Sequence, residues 1–225
     1  LCDRYGILMV LDEVMTGWCR TGKMFAFEHF DVVPDMVTFA KGVTCGYVPL
    51  GGVVVSKAIA AHFDDHVLSC GLTYSGHPMG CAAGLACIGE YERLGTAAHV
   101  TRVGATLAAT LDDMKATHPC VGDVRAIGLF AAVELVRDKA TKEPLVPYGQ
   151  DAAGIMRGIN GKLAARGFMT YTHENMIIVA PPLIITEEQL TEELEKLDAV
   201  LSDVDASLHP GRKEAAHVLV QTQSA

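Results

Sequence analysis

Two residues in the first fifth of the chain have types and settings that ordinary packing does not explain. Asp12 ends the apolar run Ile7 to Leu11, and Lys41 ends a second run, Met36 to Ala40, with Gly42 next. A lysine is normally kept out of apolar surroundings because burying an unpaired ammonium is costly. Consumption of its amine as an imine with an aldehyde cofactor would remove that cost. A carboxylate ending a neighbouring strand would then hold a pyridine nitrogen protonated. That proton makes the ring an electron sink for the carbanion formed when a substrate loses its α-proton. The freed amine would move the proton as general acid and base. For either residue alone a plainer account serves: Asp12 caps a helix, and Lys41 snorkels to solvent. Their common position at strand ends favours the joint reading.

The elements around them read as an α/β arrangement. Ile7–Leu11 is a short continuous apolar run, the pattern of a strand buried on both faces in parallel sheets, and Met36–Ala40 and Gly52–Val55 are further strand candidates. In open sheets of this kind chemistry gathers beyond the carboxyl ends of strands, which is where Asp12 and Lys41 fall. Pro78 to Arg93, rich in small residues, is predicted to be a helix packed closely on the sheet. A second helix over about Ala97 to Thr117 carries Val100, Val103, Leu107 and Leu111 at helical spacing. Further on, Val124 to Val136 reads as paired strands broken at Gly128, and Asp151 to Arg166 as a helix ended by Gly167. Phe168–Thr172 and Met176–Ala180 read as short strands around a Glu174-Asn175 turn. Thr186 and Gln189 form a capping-box pattern ahead of a long helix with Leu190, Leu194, Leu197, Leu201 and Val204 on one face. The expected organisation is a unit over 1–117, a small α+β domain over 118–208, and an irregular tail over 209–225.

Composition removes several classes of function. Half the residues are hydrophobic, a fifth are charged, and the net charge is −9, so neither a nucleic-acid partner nor an anionic membrane is indicated. The longest small-apolar run, Pro78 to Gly89, is too short to span a bilayer. Seven scattered cysteines form no CxxC pair, so no metal site is expected; free thiols in a reducing cytoplasm are the plain reading. One enzyme class competes. Ile7 to Glu13 resembles a Walker B strand, and Gly17 to Lys23 reads G-x-x-x-x-G-K. Met24 stands where a P-loop carries the magnesium-binding hydroxyl, however, and no strand leads into the loop. A P-loop NTPase is disfavoured.

Larger motifs carry a resemblance. Leu11-Asp-Glu-Val-Met-Thr-Gly-Trp-Cys-Arg-Thr-Gly22, Pro34-Asp35, Phe39-Ala-Lys-Gly42, Pro49-Leu-Gly-Gly52, Thr73-Tyr-Ser-Gly-His-Pro78 and Ala180-Pro-Pro-Leu183 occur in order. Together they resemble the signature of class III (subgroup II, ω-type) aminotransferases, over nearly the whole chain to about residue 205. The resemblance implies the pyridoxal 5'-phosphate (PLP)-dependent transferase fold type I, here part of the large, mainly parallel-sheet domain followed by the small one. It implies Lys41 as the Schiff-base lysine, Asp12 as the partner of the pyridinium nitrogen, and Val14 against one face of the ring. Thr73 would bind the cofactor phosphate of the partner subunit of a homodimer. The implied reaction passes nitrogen from an ω- or β-amino donor, taurine among the candidates, to a 2-oxo acid. Arg20 is read as structural.

Three departures qualify the expectation. Cys19 stands where the family usually has glycine, which strains the loop if that position needs positive φ. The chain opens with Leu-Cys-Asp-Arg-Tyr-Gly, which reads as the end of a helix leading into a strand. The family's earlier half, with its ring-stacking aromatic and phosphate cup, is not in this stretch, so little or no activity is expected from the chain alone. Tyr171 to Asn175 contains no arginine where many relatives bind a substrate carboxylate, and His173 reads as a surface turn residue. Aminomutases and decarboxylases share the lysine and aspartate, and a non-catalytic truncated subunit would retain the fold; product assays and cofactor binding separate these.

Overall fold

The computed structural model describes residues 1–151 and 154–208. Its contacts cluster into two compact units, residues 1–102 and residues from 103 onward.

The first unit opens with a helical turn, α1 (Cys2–Tyr5), closed by Gly6 at φ 63, where only glycine enters the left-handed region without penalty. Three strands follow: β1 (Val10–Asp12), β2 (Met36–Phe39) and β3 (Gly52–Val55), in the spatial order β1-β2-β3. β1 runs parallel to β2, with Asp12 opposite Thr38, and β3 is antiparallel to β2. Asp35 ties the sheet's leading edge together. Its carboxylate accepts the Met9 N–H at 2.8 Å, its own N–H donates to the Met9 carbonyl at 2.9 Å, and its carbonyl accepts the Ser56 N–H at 2.8 Å. Helices α2 (Lys57–His62) and α3 (Pro78–Arg93) complete the unit with the first turns of α4 (Thr96–Thr117).

The expectation of a strand buried on both faces is not met within this chain. Val10, Val53, Val54 and Val55 are exposed, as are Ile7 and Leu8 ahead of β1. The reason is local: none of the described helices packs extensively on β1 or β3. β1 also starts later than its apolar run, since Ile7 to Met9 lie outside the ladder.

The second unit is built on an antiparallel sheet in the order β4 (Val121–Ile127), β5 (Phe130–Asp138), β8 (Met176–Val179), β7 (Tyr171–His173), with β6 (Glu143–Pro144) added to β5. β4 and β5 join through the two-residue turn Gly128-Leu129. Gly128 has φ 56, and α4 approaches it so closely that a Cβ on Gly104 would lie 2.6 Å from the Gly128 carbonyl oxygen. Helices α5 (Ile155–Ala165) and α6 (Glu187–Leu208) pack on one another. Thr186 and Gln189 form the expected reciprocal cap: the Gln189 N–H donates to Thr186 Oγ1 at 3.2 Å, and the Thr186 N–H to Gln189 Oε1 at 3.1 Å. Leu190, Leu194, Leu197, Leu201 and Val204 are all buried, with Val133, Leu135, Leu163 and Ile177 supplying further core.

Some boundaries moved. α5 begins at Ile155 rather than Asp151, whose carboxylate accepts the Met156 and Arg157 N–H groups. Asp151 thus serves the start of the helix from outside it. β7 is shorter than Phe168–Thr172, because the chain must first leave α5 through Gly167 at φ 81. Residues 209–225, expected to be irregular, lie outside the described residues.

Candidate active site

The parallel pairing of β1 and β2 sets the geometry. With Asp12 opposite Thr38, the two strands end side by side, and Lys41 follows Thr38 by three residues. Both side chains therefore leave from the carboxyl edge of the sheet, and both are exposed in this chain.

Asp12 is held by one oxygen. Its Oδ1 accepts the Val14 N–H at 3.0 Å and the Thr38 hydroxyl at 3.2 Å. Oδ2 takes no hydrogen bond from the described residues. The carboxylate is thus oriented by its own strand and its neighbour while one acceptor stays open. Val14, half-buried, is tied to Asp12 through its backbone and follows it out of the strand.

Lys41 sits in a strained turn. Ala40 is extended (φ −159, ψ −148), and Lys41 itself has φ 45 at the start of a 3₁₀ turn, Lys41–Val43. A non-glycine residue in that region costs about 1–3 kcal/mol and persists only where surroundings impose it. The surroundings are identifiable. The Val43 N–H donates to the Ala40 carbonyl at 3.1 Å, and the Tyr91 hydroxyl donates to the Gly42 carbonyl at 2.6 Å. Trp18 presses on Gly42 so closely that a Cβ there would meet Trp18 Cβ at 2.7 Å. The Lys41 amine makes no hydrogen bond or ion pair among the described residues.

The turn-rich loop between β1 and β2 is organised by Glu13 and Trp18, to which the sequence alone assigned no role. Glu13 is buried, and its carboxylate accepts from the Thr16 hydroxyl, the Ala26 N–H at 3.0 Å and the Phe27 N–H at 2.8 Å. An acidic pair directly after an apolar strand was the available signal; its inward member is the anchor. Trp18 lies among Phe25, Phe39 and Tyr91, at ring-centroid distances of 5.2, 5.4 and 6.4 Å. Its indole nitrogen is buried with no partner among the described residues. Cys19 does adopt positive φ, at 68, beside Trp18 at 59. Burial pushes the Cys19 thiol upward, with Glu28 adding to the effect. Arg20 is half-buried, and desolvation lowers its pKa against the opposing influence of Tyr91. No helix follows Gly17 to Lys23; Phe25 instead caps a 3₁₀ turn over Ala26–His29, which is not P-loop geometry.

Thr73 is not brought to this cluster. It lies in an exposed turn closed by the Ser75 N–H donating to the Leu72 carbonyl at 2.9 Å, and it shares no hydrogen bond with Asp12 or Lys41. His173 lies on β7 with its ring stacked against Tyr171. No group of three or more potential metal ligands occurs among the described residues. No described helix is long and apolar enough to cross a membrane.

Comparison with known proteins decides the lineage. The profile of the family described as "Aminotransferase class-III" matches residues 1–201. The chain belongs to the class III aminotransferase family. A taurine:2-oxoglutarate aminotransferase from Bifidobacterium kashiwanohense, solved in complex with PLP and glutamate, superposes with TM-score 0.90 at 56% identity, over 92% of this chain and 46% of that one. An (S)-enantioselective omega-transaminase from Thermomicrobium roseum gives TM-score 0.84 at 40% identity, over 90% and 45%. Among curated relatives, a taurine–pyruvate aminotransferase of Bilophila wadsworthia is 36% identical over 91% of this chain and 46% of its own length. The class III chain thus has the mixed α/β architecture of PLP-dependent transaminases, fold type I, and spans less than half the length of the relatives it matches.

Proposed function

We propose that the protein containing this class III chain is a PLP-dependent aminotransferase, with Lys41 holding the cofactor through its amine and Asp12 facing the pyridine nitrogen. One observation carries the reading: a strained lysine with an unpaired amine leaves the same sheet edge as a carboxylate that keeps one oxygen open. These residues fit the group, because one supplies a nucleophilic nitrogen and the other an oriented acceptor for an N–H. When bound, PLP would supply an electron sink for negative charge developing at the substrate α-carbon.

The remaining work falls to the chain's own residues. Val14 N–H and the Thr38 hydroxyl orient the Asp12 carboxylate, so its charge is spent on the open side. The Lys41 amine would hold and return the proton taken from the amino donor. Glu13 keeps the loop beyond Val14 in place. Val14 would pack on the ring face.

An ω- or β-amino donor, taurine-like in its terminal amine, and a 2-oxo acid acceptor are the substrates assigned. The similarity to taurine-handling aminotransferases at 56% and 36% identity supports that choice. We further assign a homodimer in which Thr73 serves the partner subunit's cofactor phosphate. Its exposed hydroxyl, flanked by exposed Leu72, Tyr74 and Met79, supports an intersubunit role. The domain division is assigned as 1–117 for the cofactor-binding part and 118–208 for the small domain. A cytoplasmic location agrees with seven free cysteines.

The test is borohydride reduction with PLP, using the chain fused behind the preceding half of a relative, followed by peptide mapping. Phosphopyridoxyl label on Lys41 is the expected result. Label on another lysine, or none, overturns the assignment. Transamination by the purified 225-residue chain alone would refute the view that this stretch is insufficient.

A further inference from the structure

Behind the Lys41 turn lies a cluster of sulfur and phenol groups that the reaction above does not use. Cys45 is exposed and sits at φ 50, four residues after Lys41. Its Sγ lies 3.0 Å from the Tyr91 hydroxyl and 3.7 Å from the Gly42 carbonyl oxygen. The Tyr91 hydroxyl donates to that same carbonyl at 2.6 Å.

Helix α3 brings a second thiol to the same place. Gly84, Cys87 and Tyr91 are spaced i, i+3, i+7 and share one face. Both ends of that stripe touch the turn: a Cβ at Gly84 would meet Val43 at 3.7 Å, and Tyr91 bonds Gly42. Cys87, between them, is half-buried and lies beside the Cys45 thiol. Hydrogen bonds thus join Cys45, Tyr91 and the Gly42 carbonyl, with Cys87 on the helix face that meets them. Burial holds both the Cys87 thiol and the Tyr91 phenol above their ordinary ranges, so both stay protonated in the reduced state.

We propose that Cys45 and Cys87 form a reversible dithiol–disulfide pair that tethers the turn after Lys41 to helix α3. The oxidant is a low-molecular-weight disulfide. The exposed Cys45, as thiolate, attacks one of its sulfurs, forming a mixed disulfide and expelling one small thiolate. Cys87 then loses its proton to solvent and attacks the Cys45 sulfur. The new S–S bond displaces the second small thiolate. Two protein thiols are oxidised, one small disulfide is reduced to two thiols, and the two protons released are taken up by those thiolates. Exchange at the Cys45 sulfur is favoured because that residue is the accessible one. In the oxidised form a covalent bond joins the turn to helix α3 directly behind the strained lysine. The pairing does not depend on Lys41 binding a cofactor.

The test uses the 225-residue chain and oxidised glutathione as the probe. Free thiols are alkylated after oxidation, and the chain is digested under non-reducing conditions with trypsin and chymotrypsin, which cut at Lys41 and at Leu85 between Cys81 and Cys87. The expected result is a linked peptide pair carrying Cys45 and Cys87, with neither residue alkylated, and recovery of both thiols with dithiothreitol. In Cys87→Ser, Cys45 should instead accumulate as the glutathione mixed disulfide. The proposal is overturned if Cys45 in the unsubstituted chain ends as a mixed disulfide with Cys87 alkylated. Linkage of Cys45 to Cys70 or Cys81, or no reaction at either residue, overturns it equally.

Discussion

The two units bury their apolar residues to different degrees. In the second, Leu163, Leu197, Leu201, Val133, Leu135 and Ile177 have no solvent exposure at all. In the first, Val10, Val53, Val54, Leu72 and Tyr74 lie open, and backbone strain gathers at Trp18, Cys19, Lys41 and Cys45. The groups with chemical potential all belong to the open, strained unit. Holding Lys41 or Cys45 at positive φ costs free energy, whereas in the antiparallel sheet non-glycine positive φ is confined to the turn residues Lys142 and Glu174.

That contrast predicts that substitutions separate into those that change chemistry and those that change stability. The largest effect should come from Lys41→Ala in the fused protein. It should abolish borohydride-dependent labelling and lower transamination by roughly 10²- to 10⁴-fold or more, while the thermal midpoint stays within a degree or two of the parent. A large drop in that midpoint would mean that Lys41 is structural. Next, Leu197→Ala leaves a cavity in a site with no exposure and should cost about 2–5 kcal/mol, read as an earlier denaturant midpoint. A loss under 1 kcal/mol would show that the second unit is less tightly packed than described.

A smaller effect is expected from the buried ring of His118. Its Nδ1 and Nε2 face Asp205 at 2.7 Å and Asp198 at 2.9 Å, and Asp205 also accepts the Cys120 N–H at 2.8 Å. His118→Ala leaves two carboxylates facing one another. Half of Asp198 is exposed, so the penalty falls below that of a fully buried pair, at about 2–3 kcal/mol by urea unfolding. The smallest effect is at the cap. Thr186→Ala removes the hydroxyl acceptor at the start of α6 and should cost about 1 kcal/mol. Thr186→Ser should restore most of it.

How much of this was legible in the sequence depended on the kind of signal. Where periodicity and capping acted within one element, the reading was close: α3 runs Pro78–Arg93 as expected, β3 runs Gly52–Val55, and the Thr186–Gln189 cap forms. The break at Gly128 was visible because a two-residue turn needs a residue tolerant of positive φ. The antiparallel direction of β3 was not visible, since a short apolar run carries no information on the direction of its partner. Nor was the exposure of β1 and β3, which depends on what packs over a strand rather than on its own composition. At the site, the strand-end positions of Asp12 and Lys41 could be read from where the apolar runs stop. Glu13 as the loop's anchor and Tyr91 as the prop under Gly42 could not, because each reaches partners far from it in sequence.

The hold on Asp12 has a consequence for what could replace it. One of its oxygens already answers the Val14 amide and the Thr38 hydroxyl. In Asp12→Asn the carbonyl could meet both of those donors, and the NH₂ would then stand where a lone pair had pointed outward. The strand would keep its shape while its exposed tip changed from receiving protons to offering them. An intact fold at this position is therefore no guarantee of the right polarity.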